Sequence, residues 1–187
     1  MKIATVELES ISPYSQSRNH DTPKKEKESH EDYRERTWRN CCHFNAQGNV
    51  VIPAMSFKNC LSEAAKYLGM QIPGKGKATF TKNIEAGVLV TEDADTGIKV
   101  ADVEGEKLYL PSDGRRGSGK RVWKTYPRLM TWKTTLQFHI LDDTVTQEVF
   151  RYHLEQAGKF IGIGRWRPRN NGTYGRFQIV AMTWEDA

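Results

Sequence analysis

The side chains best suited to chemistry in this chain lie in a glycine- and arginine-rich stretch, residues 162–175. Residues 159–176 contain no acidic side chain and five cationic ones, which are Lys159, Arg165, Arg167, Arg169 and Arg176. A guanidinium binds phosphate through two parallel hydrogen bonds, and glycine lets the backbone approach a ligand closely. Trp166 and Tyr174 add rings on which a base can stack. This stretch is therefore predicted to bind a polyanion.

A second basic stretch, residues 111–128, has a similar composition. It contains one acidic residue, Asp113, with Trp123 and Tyr126 among six cations, which are Arg115, Arg116, Lys120, Arg121, Lys124 and Arg128. Lys75 and Lys77 lie in a shorter Gly-Lys-Gly-Lys run. Neither stretch has the spacing and the Ser/Thr of a phosphate-binding P-loop. We interpret both as flexible loops that follow a nucleic-acid backbone, with a solubilising loop as the alternative. Residues 111–128 and 159–176 are expected to form one groove.

The signals for catalysis are weaker. A histidine could act as the general base of an RNA-cleaving site, and the candidates are His20, His30, His43, His139 and His153. His139 is the strongest of these, because it lies on the polar face of a predicted strand. No histidine has a Tyr, Lys or Ser partner at a recognisable spacing. The sequence therefore favours a binding protein over an enzyme without deciding the question.

No metal or cofactor is predicted. The three cysteines, Cys41, Cys42 and Cys60, contain no C-x-x-C pair, and their odd number is typical of reduced thiols. The acidic residues between positions 93 and 106 do not complete a D-x-D-x-D-G calcium loop. An exposed acidic hairpin is the interpretation that remains for them.

The composition is typical of a single basic domain with a modest core. Hydrophobic residues make up 37% of 187 residues, and the net charge of +5 points toward an anionic partner such as nucleic acid. Residues 1–8 resemble a strand rather than a signal peptide, and no apolar run approaches transmembrane length. We expect a soluble, cytoplasmic protein without a membrane partner.

The hydrophobic periodicity predicts strands and two helices along the chain. Strands are predicted at residues 2–10, 88–90, 107–110, 130–141 and 176–184, and a shorter hairpin at 42–44 and 50–52. Helices are predicted at 56–68, with Ser56 as N-cap and Gly69 as stop, and at 144–158. Without its insertions the order is β-α-β-β-α-β. This order predicts an α+β fold of the ferredoxin-like or RRM-like class, with both helices on one sheet face.

Two long segments fall outside this pattern. Residues 12–40 are rich in charge and lack apolar rhythm, so they are predicted to be a flexible arm anchored by Tyr14, Tyr33 and Trp38. Residues 69–128 are predicted to be an insertion that contains most of the basic loops. Both belong to one domain spanning residues 1–187.

Two local motifs resemble the RAMP superfamily, the repeat-associated proteins of CRISPR effector complexes. Residues 50–65, Val-Val-Ile-Pro-Ala-Met-Ser-Phe-Lys-Asn-Cys-Leu-Ser-Glu-Ala-Ala, are similar to that family's strand-to-helix junction, with Ala54 where the family usually has glycine. The loop at 162–175 is similar to its C-terminal glycine-rich loop. The resemblance implies an RRM-like fold that grips the backbone of single-stranded RNA. It also implies that Lys58, which matches the family's helix lysine, faces the phosphates.

The resemblance and the charge pattern together give three functional hypotheses. The first is a single-stranded RNA-binding subunit of a CRISPR-type ribonucleoprotein, or of a homo-oligomeric filament. The second is a non-sequence-specific single-stranded DNA-binding protein of a phage or mobile element. The third is an endoribonuclease that processes CRISPR RNA. Only RNA offers the 2′-hydroxyl, which separates the first two experimentally.

Overall fold

The computed structural model describes residues 1–115, 117 and 119–186. The elements in chain order are β1 (Lys2–Ser10), β2 (Tyr14–Ser15), α1 (His30–Thr37), β3 (Asn49–Ile52), α2 (Ala54–Leu68), α3 (Thr81–Gly87), β4 (Val88–Leu89), β5 (Ala94–Lys99), β6 (Glu104–Pro111), β7 (Arg121–Leu129), β8 (Lys133–Ile140), α4 (Gln147–Gln156) and β9 (Phe177–Asp186). No helix in this part of the chain is long and apolar enough to cross a membrane.

The main sheet has the ferredoxin-like strand order. Its four strands run β4-β8-β1-β9, and every neighbouring pair is antiparallel. With α2 after β1 and α4 after β8, this is the β-α-β-β-α-β arrangement. Phe57 of α2 packs on Phe177, and Phe150 of α4 packs on Phe138, so both helices cover the same sheet face. The predicted α+β fold class is confirmed.

The opposite face of the main sheet is open and polar. Its side chains on β1 and β8 include Thr5, Glu7, Glu9, Lys133, Thr135 and Gln137. No Phe, Tyr or Trp stands on this face among the described strand residues. The aromatic rings that bind bases on the sheet of RRM domains therefore have no counterpart here.

Helix α2 starts two residues earlier than the sequence predicts. Pro53 precedes its first turn, and the Ala54 N–H donates to Oδ1 of Asp93 at 2.8 Å, so a distant carboxylate caps the helix instead of Ser56. The helix ends at Gly69, whose φ of 54° is the left-handed conformation expected of a glycine stop. Its apolar stripe, which includes Phe57 and Leu61, is buried.

A second sheet, β2-β7-β6, contains a long hairpin that the sequence did not predict. Strands β6 and β7 pair from Glu104 opposite Arg128 to Pro111 opposite Arg121. Residues 121–129 were expected to lie largely in a basic loop, which in the structure is confined to residues 112–120. Because polar and charged side chains lie on both faces of β7, its sequence lacks the alternation of apolar and polar residues that predicts a strand. The remaining strands, β3 and β5, pair with each other, so the hairpin predicted at 42–44 and 50–52 is reduced to a single bridge between Phe44 and Val50.

Parts of both predicted insertions belong to the folded body. Tyr14, Ser15 and Gln16 are buried, so any mobile arm starts after Gln16. The Ser29 hydroxyl caps α1, and the Thr125 hydroxyl of β7 donates to Glu35 of this helix. Strand β4 pairs with core strand β8, which divides the segment 69–128 into an α2–α3 connection and a β5–β7 excursion. The mobility of the arm stays a prediction.

Candidate nucleic-acid interface

The glycine-rich loop, residues 162–175, is tied to the N-terminal part of the chain by backbone hydrogen bonds. The Arg165 N–H donates to the Ser15 carbonyl at 2.8 Å, and the Gly175 N–H donates to the Pro13 carbonyl at 2.7 Å. Gly164 has a φ of 75°, and a Cβ there would collide with the Ser15 carbonyl and the Tyr14 ring. Glycine is required because two backbones meet at this point.

Arg165 lies at the centre of the interface. Its guanidinium carbon is 3.3 Å from the centre of the Tyr126 ring, and its Nη1 donates to the Ser15 hydroxyl at 3.2 Å. Burial lowers the pKa of Arg165, and Tyr126 and Glu106 oppose that shift. The side chain is therefore fixed between the loop and strand β7. Trp166, next to it, is 40% exposed and packs near Tyr174.

Two cavities meet at Arg165. The first, the α2 cavity, has a volume of about 670 Å³ and lies between α2 and the glycine-rich loop. The second, the hairpin cavity, has a volume of about 630 Å³ and lies between the loop and β7. Basic side chains line both cavities. In the first they are Lys58, Lys66, Arg165 and Arg167, beside the carboxylates Glu63 and Glu85, and in the second they are Arg121, Lys124 and Arg165. We call the two cavities together the cleft. It brings the two basic stretches of the sequence to one surface.

Lys58 lines the cleft but is bound to backbone. Its ammonium donates to the carbonyls of Ile84 at 2.8 Å and Glu85 at 2.7 Å, in the last turns of α3. Burial lowers the pKa of Lys58. Two of the three donors of the ammonium are therefore engaged by C-terminal carbonyls of α3, and the contact of Lys58 with phosphates stays a prediction.

Several other predicted cations hold the cleft together. Lys124 is only 9% exposed and donates to the Ser112 carbonyl at 3.0 Å. The Tyr174 hydroxyl and Nη1 of Arg128 both donate to Oε1 of Glu106, at 2.7 and 3.0 Å. The bond from Tyr174 to Glu106 joins the glycine-rich loop to the hairpin, and the other two lie within the hairpin. Their first role is to position the walls of the cleft.

Three arginines of the loop region also have partners within the protein. Arg167 and Arg169 approach the Glu63 carboxylate at 3.4 and 3.7 Å. Arg176 donates to the carbonyls of Lys159 and Thr173. By contrast, Arg121 is exposed and has no carboxylate partner among the described residues, so its full charge is available to a ligand.

Three predicted site residues lie away from the cleft. Trp123 was expected beside Arg121 and Lys124, but as a strand residue it points to the opposite face from Lys124. There it pairs with Tyr109, with ring centres 5.1 Å apart. Lys75 and Lys77 are exposed on the connection between α2 and α3 and line neither cavity of the cleft. Arg115 and Lys120 are exposed in the 112–120 loop, and Arg116 lies outside the described residues.

Two arginines that line a third cavity were missed by sequence reasoning. Arg18 and Arg34 come from the charge-rich segment 12–40, which was interpreted as a flexible arm with aromatic anchors. Their signal in the sequence was only their position near the anchors Tyr14 and Trp38. The recurrence of cations beside buried aromatic residues could have indicated the wall of a cavity rather than a free arm.

Two of the histidines bear on the catalytic alternative. His43 lines the α2 cavity, and burial lowers its pKa. His139 lies on the open sheet face, the position predicted from its strand, and lines neither cavity of the cleft. Within residues 1–115, 117 and 119–186 there is no group of three His, Cys, Asp or Glu side chains placed to hold a metal ion.

The topology defines an antiparallel ferredoxin-like α+β domain with a cleft between its first long helix and its last loop. No family model and no curated protein matches the chain. Among solved structures it is similar to Cmr6 from Pyrococcus furiosus, with a TM-score of 0.45 and 11% identity, covering 96% of this chain and 99% of that one. It is also similar to a chain of a CRISPR RNA-guided surveillance complex, with a TM-score of 0.40 and 14% identity, covering 95% and 67%. The fold class rests on the strand order.

Proposed function

We propose that this protein binds single-stranded RNA by its sugar–phosphate backbone along the cleft, as a subunit of a CRISPR-type ribonucleoprotein. The observation that carries the proposal is the position of Arg165, which lines both cavities and so brings the two basic stretches of the sequence to one surface. Exposed cations along a groove attract phosphates and release counterions. The assembly follows from the resemblance of residues 50–65 and 162–175 to RAMP proteins.

The lining of the α2 cavity supports RNA rather than DNA. Its polar, uncharged side chains include Ser17, Ser56, Asn59 and Ser62. Hydroxyl and amide groups both donate and accept hydrogen bonds, as a 2′-hydroxyl requires. Trp166 at the rim offers one exposed ring for a base, while the open sheet face offers none. Backbone contacts with occasional stacking are the mode that this surface supports.

Replacing Arg121 tests the proposal directly. Arg121→Ala removes an exposed cation of the cleft that makes no structural ion pair, so the melting temperature should stay unchanged. The affinity for single-stranded RNA should fall, and the slope of log K against log salt should decrease in magnitude by about 0.7. Arg151→Ala is the matched control, since Arg151 is an exposed arginine of α4 paired with Glu155. An identical slope in wild type and Arg121→Ala would remove the cleft from the proposal.

A competition experiment addresses the DNA alternative. RNA and DNA of one sequence, mixed in equal amounts, should partition in favour of RNA because only RNA presents 2′-hydroxyls to the α2 cavity. Equal partition would support the single-stranded DNA-binding function instead.

The position of His43 in the α2 cavity is the observation that favours the endoribonuclease alternative. Labelled RNA incubated with the protein, with and without Mg²⁺, is expected to remain intact. Cleavage that disappears in His43→Ala would replace the binding-only function with RNA processing.

A further inference from the structure

A third cavity, which we call the side cavity, opens beside the cleft. It has a volume of about 260 Å³ and lies between residues 17–20, helix α1 and strand β7. The side chains that matter for its chemistry are Arg18, His20, Tyr33, Arg34, Trp38 and Tyr126. No acidic residue lines it. Its wall is therefore cationic and aromatic.

The two guanidiniums of the side cavity carry largely uncompensated charge. Arg34 has no hydrogen-bond or ion-pair partner among the described residues, and Arg18 makes one long bond of 3.5 Å to the Cys42 carbonyl. The nearby carboxylates of α1 are engaged elsewhere, since Glu31 and Glu35 approach Lys107 at 3.7 and 3.8 Å.

The local electrostatic field agrees with this charge count. Burial lowers the pKa of Lys124, and the positive charges of Arg34 and Arg165 lower it further. His20 contributes a donor, because the Thr22 N–H donates to its Nδ1 at 3.4 Å and the neutral ring then has its proton on Nε2. The side cavity thus contains two cations and an N–H donor, and no acidic residue of its lining neutralises their charge.

The side cavity adjoins the cleft. Ser17 lines both the side cavity and the α2 cavity, and Tyr126 lines both the side cavity and the hairpin cavity. With about 40% of the volume of either cleft cavity, it suits a single group at the end of a strand better than a passing chain. An internal phosphodiester has one negative charge, whereas a terminal phosphate monoester has close to two at neutral pH.

We propose that the side cavity binds the terminal phosphate monoester of the RNA held in the cleft, with Arg18 and Arg34 as its guanidinium ligands and His20 as an additional donor. This inference rests on the proposed RNA-binding function. Two guanidiniums match a dianion in charge and in hydrogen-bond geometry.

One oligonucleotide in three forms tests the inference. Single-stranded RNA of one sequence is prepared with a 5′-phosphate, with a 3′-phosphate, or with hydroxyls at both ends, and its affinity for the full chain is measured. One phosphorylated form should bind about tenfold tighter than the hydroxyl form. The preferred end identifies the polarity of the strand in the cleft. Equal affinity of all three forms would overturn the inference and leave the cleft intact as an RNA site.

Variants assign the preference to the side cavity. Arg34→Ala and Arg18→Ala should each abolish the preference for the phosphorylated end while binding the hydroxyl form like wild type. Arg151→Ala should retain the preference. Melting temperatures verify folding, and Arg34→Lys keeps the charge but should lose part of the preference because a lysine cannot bind bidentately. A preference that persists in both alanine variants would exclude this cavity. Failure of every form to bind would reject the proposed function itself.

Discussion

Arg165 illustrates how one side chain serves both structure and binding. Its backbone N–H and its guanidinium both contact Ser15, and the ring of Tyr126 covers one face of the guanidinium. A cation fixed in this way loses little conformational freedom when a phosphate arrives, which raises affinity for a given set of contacts. Substitution of Arg165 would therefore confound binding with stability, and Arg121 is the cleaner probe.

Lys58 is expected to matter for stability. Lys58→Met keeps the length of the side chain and removes the donors to the carbonyls of Ile84 and Glu85. The loss should cost about 1 kcal/mol. For a chain of this size that corresponds to a fall in melting temperature of roughly 2–4 °C.

Lys82→Met makes the same chemical change at an exposed position of α3 where the lysine has no hydrogen-bond or ion-pair partner among the described residues, so its melting temperature should match wild type. A thermal scan of both variants decides the matter. If Lys58→Met melts like Lys82→Met, the two backbone hydrogen bonds contribute nothing measurable.

His153 should make stability depend on pH. It is fully buried in α4, its Nδ1–H donates to the Val149 carbonyl at 2.7 Å, and burial lowers its pKa below the ordinary value near 6.5. The unfolded state then binds a proton more readily than the folded state. Stability is full above about pH 6.5 and falls as the pH decreases toward the folded pKa, by at most about 1.4 kcal/mol per pH unit.

The measurement is the melting temperature of wild type and His153→Leu between pH 7.5 and 5. The wild-type curve should descend more steeply, because leucine has no proton to bind. His43, whose pKa is also lowered by burial, contributes equally to both proteins and cancels in the difference. Parallel curves would show that His153 titrates alike in the folded and unfolded states.

At the scale of elements, the glycine-rich loop depends on close backbone contact. Gly164→Ala places a methyl group against the Ser15 carbonyl at a positive φ, which should cost about 1–3 kcal/mol and weaken RNA binding. Gly119→Ala is the control, since a Cβ there meets nothing within 4 Å. Thermal unfolding and RNA titration of both variants test this. Tolerance of Gly164→Ala would mean that the loop can rearrange without loss.

The arm after Gln16 should respond to RNA. Lys24, Lys25 and Lys27 are exposed, and polar bonds such as that from Tyr33 to the Thr22 carbonyl hold the surrounding chain. Such contacts offset little of the roughly 1–2 kcal/mol per residue that backbone ordering costs.

Trypsin should therefore cut at these lysines in the free protein, and bound RNA should protect them. The arm forms one wall of the side cavity, so the protection should be strongest with the phosphorylated RNA that binds tightest. Identical digestion with and without RNA would make the arm an ordinary loop, and resistance of the free protein would contradict the compositional prediction.

Sequence periodicity identified the elements with one buried face and missed those without one. Apolar residues recur at every second position in strands β1, β8 and β9 and at every third or fourth position in helix α2, because the core covers one side of each element. Strand β7 carries Lys124 and Tyr126 on one face and Trp123 on the other, so its sequence shows no alternation of apolar and polar residues. The bond from Arg165 to Ser15 spans most of the chain, and no local pattern predicts such a contact.

The open sheet face and the cleft lie on opposite sides of the molecule. The open sheet face carries Glu7 and Glu9, with Lys133 paired to Glu9 at 3.2 Å, whereas the cleft lies along α2 on the opposite side. Lys133→Ala should therefore leave RNA affinity and its salt dependence unchanged. Filter-binding or fluorescence titration at several salt concentrations suffices, and a loss comparable to that of Arg121→Ala would place RNA on the sheet instead.

The position of β1 at the centre of the main sheet has a consequence for synthesis. Its neighbours are β8 and β9, with Glu9 opposite Lys133 and Lys2 opposite Asp186. At roughly 5–20 residues per second, the first strand made waits on the order of ten seconds for the strands that flank it. Pairing across such a separation is also slow to form. Residues 162–175 are also made late and contact Pro13 and Ser15 near the start of the chain, so the cleft can assemble only near the end of synthesis.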